Sequence, residues 1–250
     1  TNFRHLTGDA LAIAGKHNIE LQNPDYVQIH PTTFYTKHPE DRSFLISESV
    51  RGEGARLYDK NMNRFVNELL PRDLLSQKIH EQMAKDDTDF VWEDLRTIPA
   101  ETLRHHFPNI VEHCREMGYD VFKECIPVVP AQHYFMGGVK VDYQSRSSME
   151  NLYVVGEAAC NGVHGKNRLA SNSLLESLVF ARRAAQDMAE HDLKNASPQN
   201  ASEIADYLAS HVDFTPYQDI QTLAETYHHL ATQAITLGQN PEGRKEFLYV

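Results

Sequence analysis

Apolar residues recur at helical spacing through much of the first half of the chain. Residues 9–17 predict one helix, and residues 99–117 predict two short helices, the second restarting at Pro108. A further helix follows Asp73, an acid whose charge suits the positive end of the helix dipole. Residues 25–29 instead alternate with period two, as a short strand does. The pattern indicates a mixed α+β region.

The second half has a different pattern. Residues 139–141 alternate as a strand, and residues 152–155 form a continuous apolar run that is typical of a buried strand. Residues 173–176 fit a capping box, and the helix behind them should reach about residue 191. Strand, loop and helix in this order are an α/β signal. After a hydrophilic linker, residues 201–237 predict mostly helix.

Composition narrows the class of protein. The 250 residues include 35 acidic and 24 basic ones, and the net charge of −11 argues against a general nucleic-acid binder. A small acidic ligand held by a few local cations is still compatible with this charge. No apolar run reaches the roughly 18 to 20 residues of a membrane span. Three cysteines without a CxxC pair argue against a zinc site or a disulfide scaffold, and they favour the cytoplasm.

Five segments combine side chains that could carry chemistry. The first four centre on His30, on Glu48 with Arg51, on Arg72, and on His133 before a pair of glycines. Each has an equally simple structural explanation. In order, these are a loop histidine, a surface ion pair, a solvated arginine at a helix start, and a glycine turn. None of the four identifies a function by itself.

The fifth segment, residues 156–176, carries the strongest signal. A strand ends at Gly156, a glycine-bearing loop supplies His164 and Arg168, and a Ser-Asn-Ser step at 171–173 begins a helix. Free N–H groups at a helix start attract electron-rich groups, and a flavin pyrimidine edge gains negative charge on reduction. A helix start that binds a flavin and a well-capped structural helix explain these residues equally well.

Taken in order, the segments closely resemble the flavoprotein family of L-aspartate oxidase, fumarate reductase and succinate dehydrogenase. The matching blocks run from about residue 7 to residue 189, and the string HGKNRLASNSLLE at residues 164–176 is highly specific to the family. The ASNSLLE portion looks like the L-aspartate oxidase members. The resemblance implies a capping domain of the fumarate reductase flavoprotein type, part of a Rossmann-like FAD domain and the start of a C-terminal helical domain. The fold class implied is α+β combined with α/β.

The resemblance also implies domain boundaries. Residues 1–29 would belong to a partial FAD-binding domain, 30–134 to the capping, substrate-binding domain, 135–191 to the C-terminal part of the FAD-binding domain, and 192–250 to the start of the helical domain. The family holds the FAD pyrophosphate with an N-terminal GxGxxG motif. The sequence has only one GxG, at residues 52–54, in another context. We therefore expect a fragment that binds FAD weakly or not at all in isolation and is inactive alone.

Site residues follow from the resemblance position by position. Binding of a four-carbon dicarboxylate falls on His30, Ser47, His133 and Arg168, with Ser47 standing where the family usually has threonine. Proton transfer falls on Arg72, with Glu48 and Arg51 as its relay. Arg72 could instead serve mainly as an electrostatic clamp, because arginine is a poor base in water. FAD contacts fall on Glu157, Ser171, Asn172, Ser173 and Leu174.

The activity implied by the resemblance is FAD-dependent oxidation of L-aspartate to iminoaspartate, with oxygen or fumarate as acceptor, as the first step of de novo NAD biosynthesis. One alternative is a fumarate reductase or succinate dehydrogenase flavoprotein subunit, acting on fumarate or succinate. A second alternative is a non-catalytic fragment or a binding module on the same scaffold. The expected partners are the small dicarboxylate and quinolinate synthase downstream, with no nucleic acid, no metal and no membrane span.

Overall fold

The computed structural model describes residues 6–37, 42–192 and 218–239, together with residues 210 and 215. Its internal contacts divide these residues into two compact units. The first unit comprises residues 27–134, and the second comprises residues 6–26 and the described chain from residue 135 onward. The division into four domains that the sequence predicts stays a prediction.

The described elements alternate between helices and short strands. In chain order they are α1 (Asp9–Lys16), β1 (Leu21–Gln22), β2 (Val27–Phe34), α2 (Glu48–Gly52), β3 (Arg56–Tyr58), α3 (Arg72–Asp86), β4 (Val91–Asp94), α4 (Ala100–His106), α5 (Pro108–Glu116), β5 (Ile126–Phe135), β6 (Gly138–Lys140), a 3₁₀ turn (Gly156–Ala158), β7 (Ala159–Cys160), α6 (Asn172–Asp187), a π-helical turn (Met188–Asp192) and α7 (Ile220–Gln239). None of the described helices is both long and apolar enough to cross a membrane.

A four-stranded sheet in the order β2–β5–β4–β3 organises the first unit. Strand β4 runs antiparallel to both of its neighbours, so Glu93 on β4 lies opposite Leu57 on β3 and Ile126 on β5. Helix α3 contributes Leu75 and Ile79, which are four residues apart and therefore share one face of the helix. These four apolar side chains have no exposed surface, and each contributes about 1.5 to 3 kcal/mol by its burial.

The strands that lead to the site differ from the sequence expectation in their limits. The period-two pattern at 25–29 becomes strand β2, which begins at Val27, continues through His30 and ends at Phe34. The segment around Pro127 and Pro130 lies within strand β5, which also carries His133. His30 therefore lies within a paired strand instead of in a loop after one.

A small three-stranded sheet, β1–β6–β7, belongs to the second unit. Strand β6 is antiparallel to β1 and parallel to β7, which agrees with the α/β signal in this region. Gly138 begins β6 with a φ of +137°, and a Cβ atom there would lie 2.4 Å from the carbonyl oxygen of Ala158. Only glycine permits this approach of two backbones. Beside the sheet, α1 packs on α7 through Leu11, Ala231 and Ala234.

The apolar run at residues 152–155 is not a buried strand. Its one pairing among the described residues is an isolated bridge between Tyr153 and Arg146, and Val155 is exposed. A strand needs continuous backbone pairing with a neighbour, which this run lacks. The strand that pairs in parallel with β6 is β7, further along the chain. Leu152 and Val154 pack partly buried against a small cluster that includes Val139.

Helix α6 also differs from its sequence prediction. It begins at Asn172, after Ser171 in the left-handed conformation, and no side chain caps it. The predicted capping box at 173–176 is therefore wrong, because the Glu176 carboxylate instead accepts a hydrogen bond from the Asn161 amide at 2.5 Å. The leucines of its first two turns are exposed rather than packed: Leu174 is 72%, Leu175 61% and Leu178 72% exposed.

The helical tail is described only in part. Helix α7 covers Ile220–Gln239, within the expected helical stretch and two residues beyond it. The expected linker at 197–200 and the helix expected from residue 201 lie outside the described residues, apart from isolated positions.

Candidate functional site

An ion pair between Arg72 and Glu48 lies at the centre of the site in the first unit. Arg72 is the first residue of α3, and its Nε donates to the Glu48 carboxylate at 2.6 Å. Its Nη1 donates to Oε1 of Gln28 at 3.2 Å. The Arg72 side chain is 9% exposed, whereas that of Glu48 is 45% exposed. The pair orients a nearly buried guanidinium whose remaining N–H groups can hold an anion.

Ser47 is the residue before α2, and its hydroxyl has a structural task. The Ser47 Oγ accepts a hydrogen bond from the backbone N–H of Ser49 at 3.3 Å, as an N-cap does. The hydroxyl proton of Ser47 can still be donated to a ligand. The short helix that follows carries Glu48 and Arg51 three residues apart, on neighbouring positions of one face.

Arg51 is buried behind that pair. Its Nε donates to the main-chain oxygen of Glu68 at 3.3 Å, and its Nη1 donates to the Thr32 hydroxyl. Burial lowers the pKa of Arg51, and the nearby Arg72 lowers it further, while Glu93 and Glu48 oppose the change. The two arginines therefore lie in a buried cluster of mixed charge with Glu48 and Glu93.

His30 is a neutral histidine in this environment. Its Nε2 lies 2.8 Å from the main-chain oxygen of Ile46. A carbonyl can only accept, so Nε2 carries the proton and Nδ1 is an acceptor, for which no hydrogen-bond partner is found among the described residues. Burial, together with Arg51 and Arg72, lowers the pKa of His30 to about 3. His30 therefore stays neutral near pH 7.

His133 lies next to His30. The two ring centroids are 5.3 Å apart with the rings tilted by 59°, and His133 also contributes to the lowered pKa of His30. Strands β2 and β5 are neighbours in the sheet, which explains why residues so distant in sequence meet. The first unit thus brings together six of the predicted residues, namely His30, Ser47, Glu48, Arg51, Arg72 and His133.

Sequence reasoning missed four polar residues of this cluster. Gln28 and Thr32 flank His30 at positions i−2 and i+2 of β2, and all three are buried. Because side chains alternate along a strand, the period-two pattern could have placed Gln28 and Thr32 on the face of His30. Nothing in the local sequence marks Glu68 or Glu93, which reach Arg51 through the packing of distant segments.

In the second unit, Arg168 lies near Glu157 and His164. Arg168 is 4% exposed, and its Nη1 donates to the main-chain oxygen of Leu169 at 3.0 Å. Burial raises the pKa of Glu157. A hydrogen bond from the Phe135 backbone N–H and the positive charge of Arg168 partly oppose this change. Burial lowers the pKa of His164, and Arg168 adds to that shift.

The start of α6 has the features expected of a flavin contact. Ser171, Asn172, Ser173 and Leu174 form its first turn and entry, and no side chain takes up the backbone N–H groups there. Uncapped N–H groups at the positive end of a sixteen-residue helix suit an electron-rich ring edge. Glu157 accepts the Phe135 N–H through Oε1 at 2.8 Å, and its carboxylate can accept a ligand hydroxyl as well. These residues fit the flavin and sugar portions of FAD.

The predicted site residues therefore fall into two groups, one in each unit. The proton-transfer residues and three substrate residues belong to the first unit. Arg168 and the five predicted FAD contacts belong to the second. No group of three or more histidine, cysteine, aspartate or glutamate side chains that could hold a metal ion occurs among the described residues.

Comparison with known proteins agrees with this chemistry. Residues 1–174 match the family described as FAD binding domain. The chain is 55% identical over 188 residues to an L-aspartate oxidase of Clostridium perfringens and 50% identical over 188 residues to one of Clostridium acetobutylicum. Each match covers 75% of this chain and 43% of the relative, so the chain spans less than half the length of either.

A solved structure shares the fold. The chain superposes on the FrdA chain of a mutated E. coli quinol fumarate reductase with a TM-score of 0.71 and 32% identity, over 84% of this chain and 39% of that one. A fold of the fumarate reductase flavoprotein type with part of an FAD-binding domain agrees with this comparison. This chain belongs to the FAD-binding domain family, within the flavoproteins that include L-aspartate oxidase and fumarate reductase.

Proposed function

We propose that the polypeptide carrying this chain is an L-aspartate oxidase, which uses FAD to oxidise L-aspartate to iminoaspartate with oxygen or fumarate as acceptor. The observation that carries the proposal is the pair of buried arginines, Arg72 and Arg51, in a chain of net charge −11. The remaining N–H groups of the Arg72 guanidinium would bind a substrate carboxylate. The L-aspartate oxidase relatives support the choice of substrate.

Different residues have different roles in the proposed reaction. In the first unit, Arg72, His133 and Ser47 would bind substrate carboxylate and fix the Cα–H bond, and orientation of this kind can supply about 7 to 11 kcal/mol of a barrier. Glu48 orients the Arg72 guanidinium through a hydrogen bond of 2.6 Å. Arg51, on the same helix as Glu48, would continue the proton relay. When bound, FAD supplies the two-electron acceptor; Glu157 and Ser171, Asn172, Ser173 and Leu174 would hold it.

The chemistry of the product places the enzyme in a sequence of reactions. Iminoaspartate is a reactive imine that hydrolyses in water, so a following enzyme must consume it promptly. We propose that this reaction is the first step of de novo NAD biosynthesis, with quinolinate synthase as the next enzyme and the cytoplasm as the location. The absence of a membrane-crossing helix among the described elements is compatible with this placement.

Anaerobic reduction of the FAD-loaded polypeptide tests the proposal. L-aspartate should bleach the visible flavin absorption and succinate should not, and in air L-aspartate should yield hydrogen peroxide and ammonia. An Arg72→Ala variant should lose the bleaching, while Arg104→Ala, which removes an exposed arginine paired with Glu101, should keep it. The proposal is refuted if L-aspartate leaves the flavin oxidised.

The same experiment addresses the alternatives. The similarity to quinol fumarate reductase favours a respiratory flavoprotein as the second candidate. Bleaching by succinate alone would identify that function. FAD that is bound but reduced by neither substrate would indicate a binding module.

A further inference from the structure

Asn161 and Glu176 join the two ends of the loop that carries Arg168. Asn161 directly follows strand β7, and Glu176 lies on α6, one turn beyond its first residue, Asn172. The side-chain amide of Asn161 donates through Nδ2 to Oε1 of Glu176 at 2.5 Å. Because the two residues are 15 positions apart in sequence, this hydrogen bond closes the chain between them into a loop.

The Asn161 amide also holds the loop from within. Its Oδ1 accepts a hydrogen bond from the backbone N–H of Val163 at 3.1 Å. An ionised carboxylate can only accept and a backbone N–H can only donate, so these two partners define which way the amide faces. Asn161 therefore bridges the backbone of the loop and the side chain of Glu176 on the helix.

The carboxylate of Glu176 is held in a mostly dry environment. The residue is 6% exposed, and burial raises the pKa of its carboxyl group, while hydrogen bonds from Asn161 and Ser177 oppose this change. The Ser177 hydroxyl, on the same helix, lies 3.4 Å from Oε2. A buried carboxylate needs donors, and Asn161 supplies one from the loop.

The backbone of the loop does not fix its own conformation. Gly162 and Gly165 have φ values of +83° and +56°, in the region that glycine enters freely. Arg168, which follows them, is 4% exposed and is predicted to bind a carboxylate of the substrate. A side chain that becomes ordered only on binding lowers the affinity for its ligand. Contacts that hold the loop in advance should therefore favour binding.

We propose that Asn161 and Glu176 are positioning residues, whose hydrogen bond fixes the loop of residues 161–168 against α6 and so fixes the place of Arg168. The inference rests on the proposed function, because the substrate role of Arg168 belongs to that reaction. Asn172, a predicted FAD contact, is four residues before Glu176 and shares its face of α6. The bond would keep a substrate-binding side chain and a cofactor-binding helix start at a fixed spacing within the second unit.

The kinetic test uses Asn161→Leu in the FAD-loaded polypeptide, because leucine is similar in size and has no polar side-chain atom. We expect KM for L-aspartate to rise about tenfold and kcat to change less than about threefold, since a carboxylate contact serves substrate and transition state alike. The control Ser177→Ala removes the hydroxyl that contacts Glu176 from within the helix and should keep both constants. A purely structural role would lower the yield of FAD-loaded enzyme and leave KM unchanged, and this result overturns the proposal.

A double variant tests the hydrogen bond itself. Asn161→Asp combined with Glu176→Gln again sets a carboxylate opposite an amide, with donor and acceptor reversed, and the introduced carboxylate can still accept the Val163 N–H. KM should return to within about threefold of the wild-type value. A double variant with the KM of Asn161→Leu overturns the proposal.

A further measurement does not depend on turnover. Hydrogen–deuterium exchange followed by mass spectrometry should show faster exchange of the backbone amides of residues 162–168 in Asn161→Leu than in wild type or Ser177→Ala, by about fivefold or more. Unchanged exchange in Asn161→Leu overturns the proposal whatever the enzyme does with L-aspartate. If exchange becomes faster but L-aspartate is not oxidised, the proposed function fails and the positioning of the loop stands.

Discussion

Glu68 supports the wall of the site, and replacing it by glutamine gives a sharp test of this interpretation. Its side chain is fully buried and receives three donors. Arg64 binds both carboxylate oxygens, at 3.0 and 2.6 Å, and the backbone N–H of Leu57 donates to Oε1 at 3.0 Å. Its main-chain oxygen holds Arg51. Glu68→Gln keeps the shape of the side chain and removes the charge.

The cost follows from these contacts. A hydrogen bond to a charged group contributes about 1.5 to 3 kcal/mol, and glutamine loses one of the two to Arg64 and weakens the other. Because Arg64 is 48% exposed, solvent screens the pair and the upper part of the range is discounted. The expected loss is about 2 kcal/mol, which corresponds to a decrease of roughly 4 to 8 °C in the melting temperature of a chain of this size.

The effect should also depend on pH in a definite direction. Burial raises the pKa of Glu68, but the Arg64 and Leu57 hydrogen bonds outweigh it and the net pKa is lowered. The stabilisation is therefore present at neutral pH and is lost as the pH falls below the usual glutamate value of about 4.3. Melting followed by circular dichroism should show a gap between wild type and Glu68→Gln that narrows below about pH 4.

A control separates this effect from a general response to lost charge. Glu81→Gln removes a carboxylate from an exposed pair with Lys78 on α3 and should leave the melting temperature unchanged. Equal decreases for the two variants, or a gap for Glu68→Gln that stays constant down to pH 3, would refute the reasoning.

Three further predictions concern the site and its support. His30 should show no protonation between pH 5 and 8 in ¹H–¹⁵N NMR spectra, because its burial, with Arg51 and Arg72, lowers its pKa to about 3; a midpoint near 6.5 would contradict this effect. Arg72→Lys should lower kcat for L-aspartate about 100-fold in steady-state assays, since an ammonium cannot reproduce the planar contacts to Glu48 and a carboxylate; activity within threefold of wild type would contradict this. Gly138→Ala should lower the melting temperature far more than Gly118→Ala, because both have positive φ but only the former meets backbone atoms within 4 Å; equal effects would refute the close approach.

Much of the site could be predicted from the sequence because its residues occur in short, ordered blocks. His30, Glu48, Arg51, Arg72 and His133 were each named from such a block, and the structure gathers them in the first unit. Helices α3, α4 and α5 also follow the apolar spacing and the proline at position 108. The roles predicted for these residues came from the resemblance of the ordered blocks to a family, because no single block identifies a function by itself.

The rest depends on long-range packing, which a local pattern cannot contain. Residues 152–155 have the composition of a buried strand but lack continuous partners, and Glu176 bonds to Asn161 instead of capping its own helix. The low pKa of His30 is produced by burial and by arginines 21 and 42 positions away in sequence. Glu93 was missed because the two acids of β4, Glu93 and Asp94, resemble exposed positions until the neighbouring strands are known.

The leucines on the outer side of α6 have a practical consequence for handling this protein. Leu174, Leu175 and Leu178 expose apolar side chains to water. Exposed apolar surface promotes self-association at the protein concentrations used for spectroscopy. Self-association would hide the start of α6, where the isoalloxazine ring is expected to rest. Light scattering over a dilution series should precede any FAD titration. It would show whether self-association, instead of a lack of affinity, explains a failure to bind FAD.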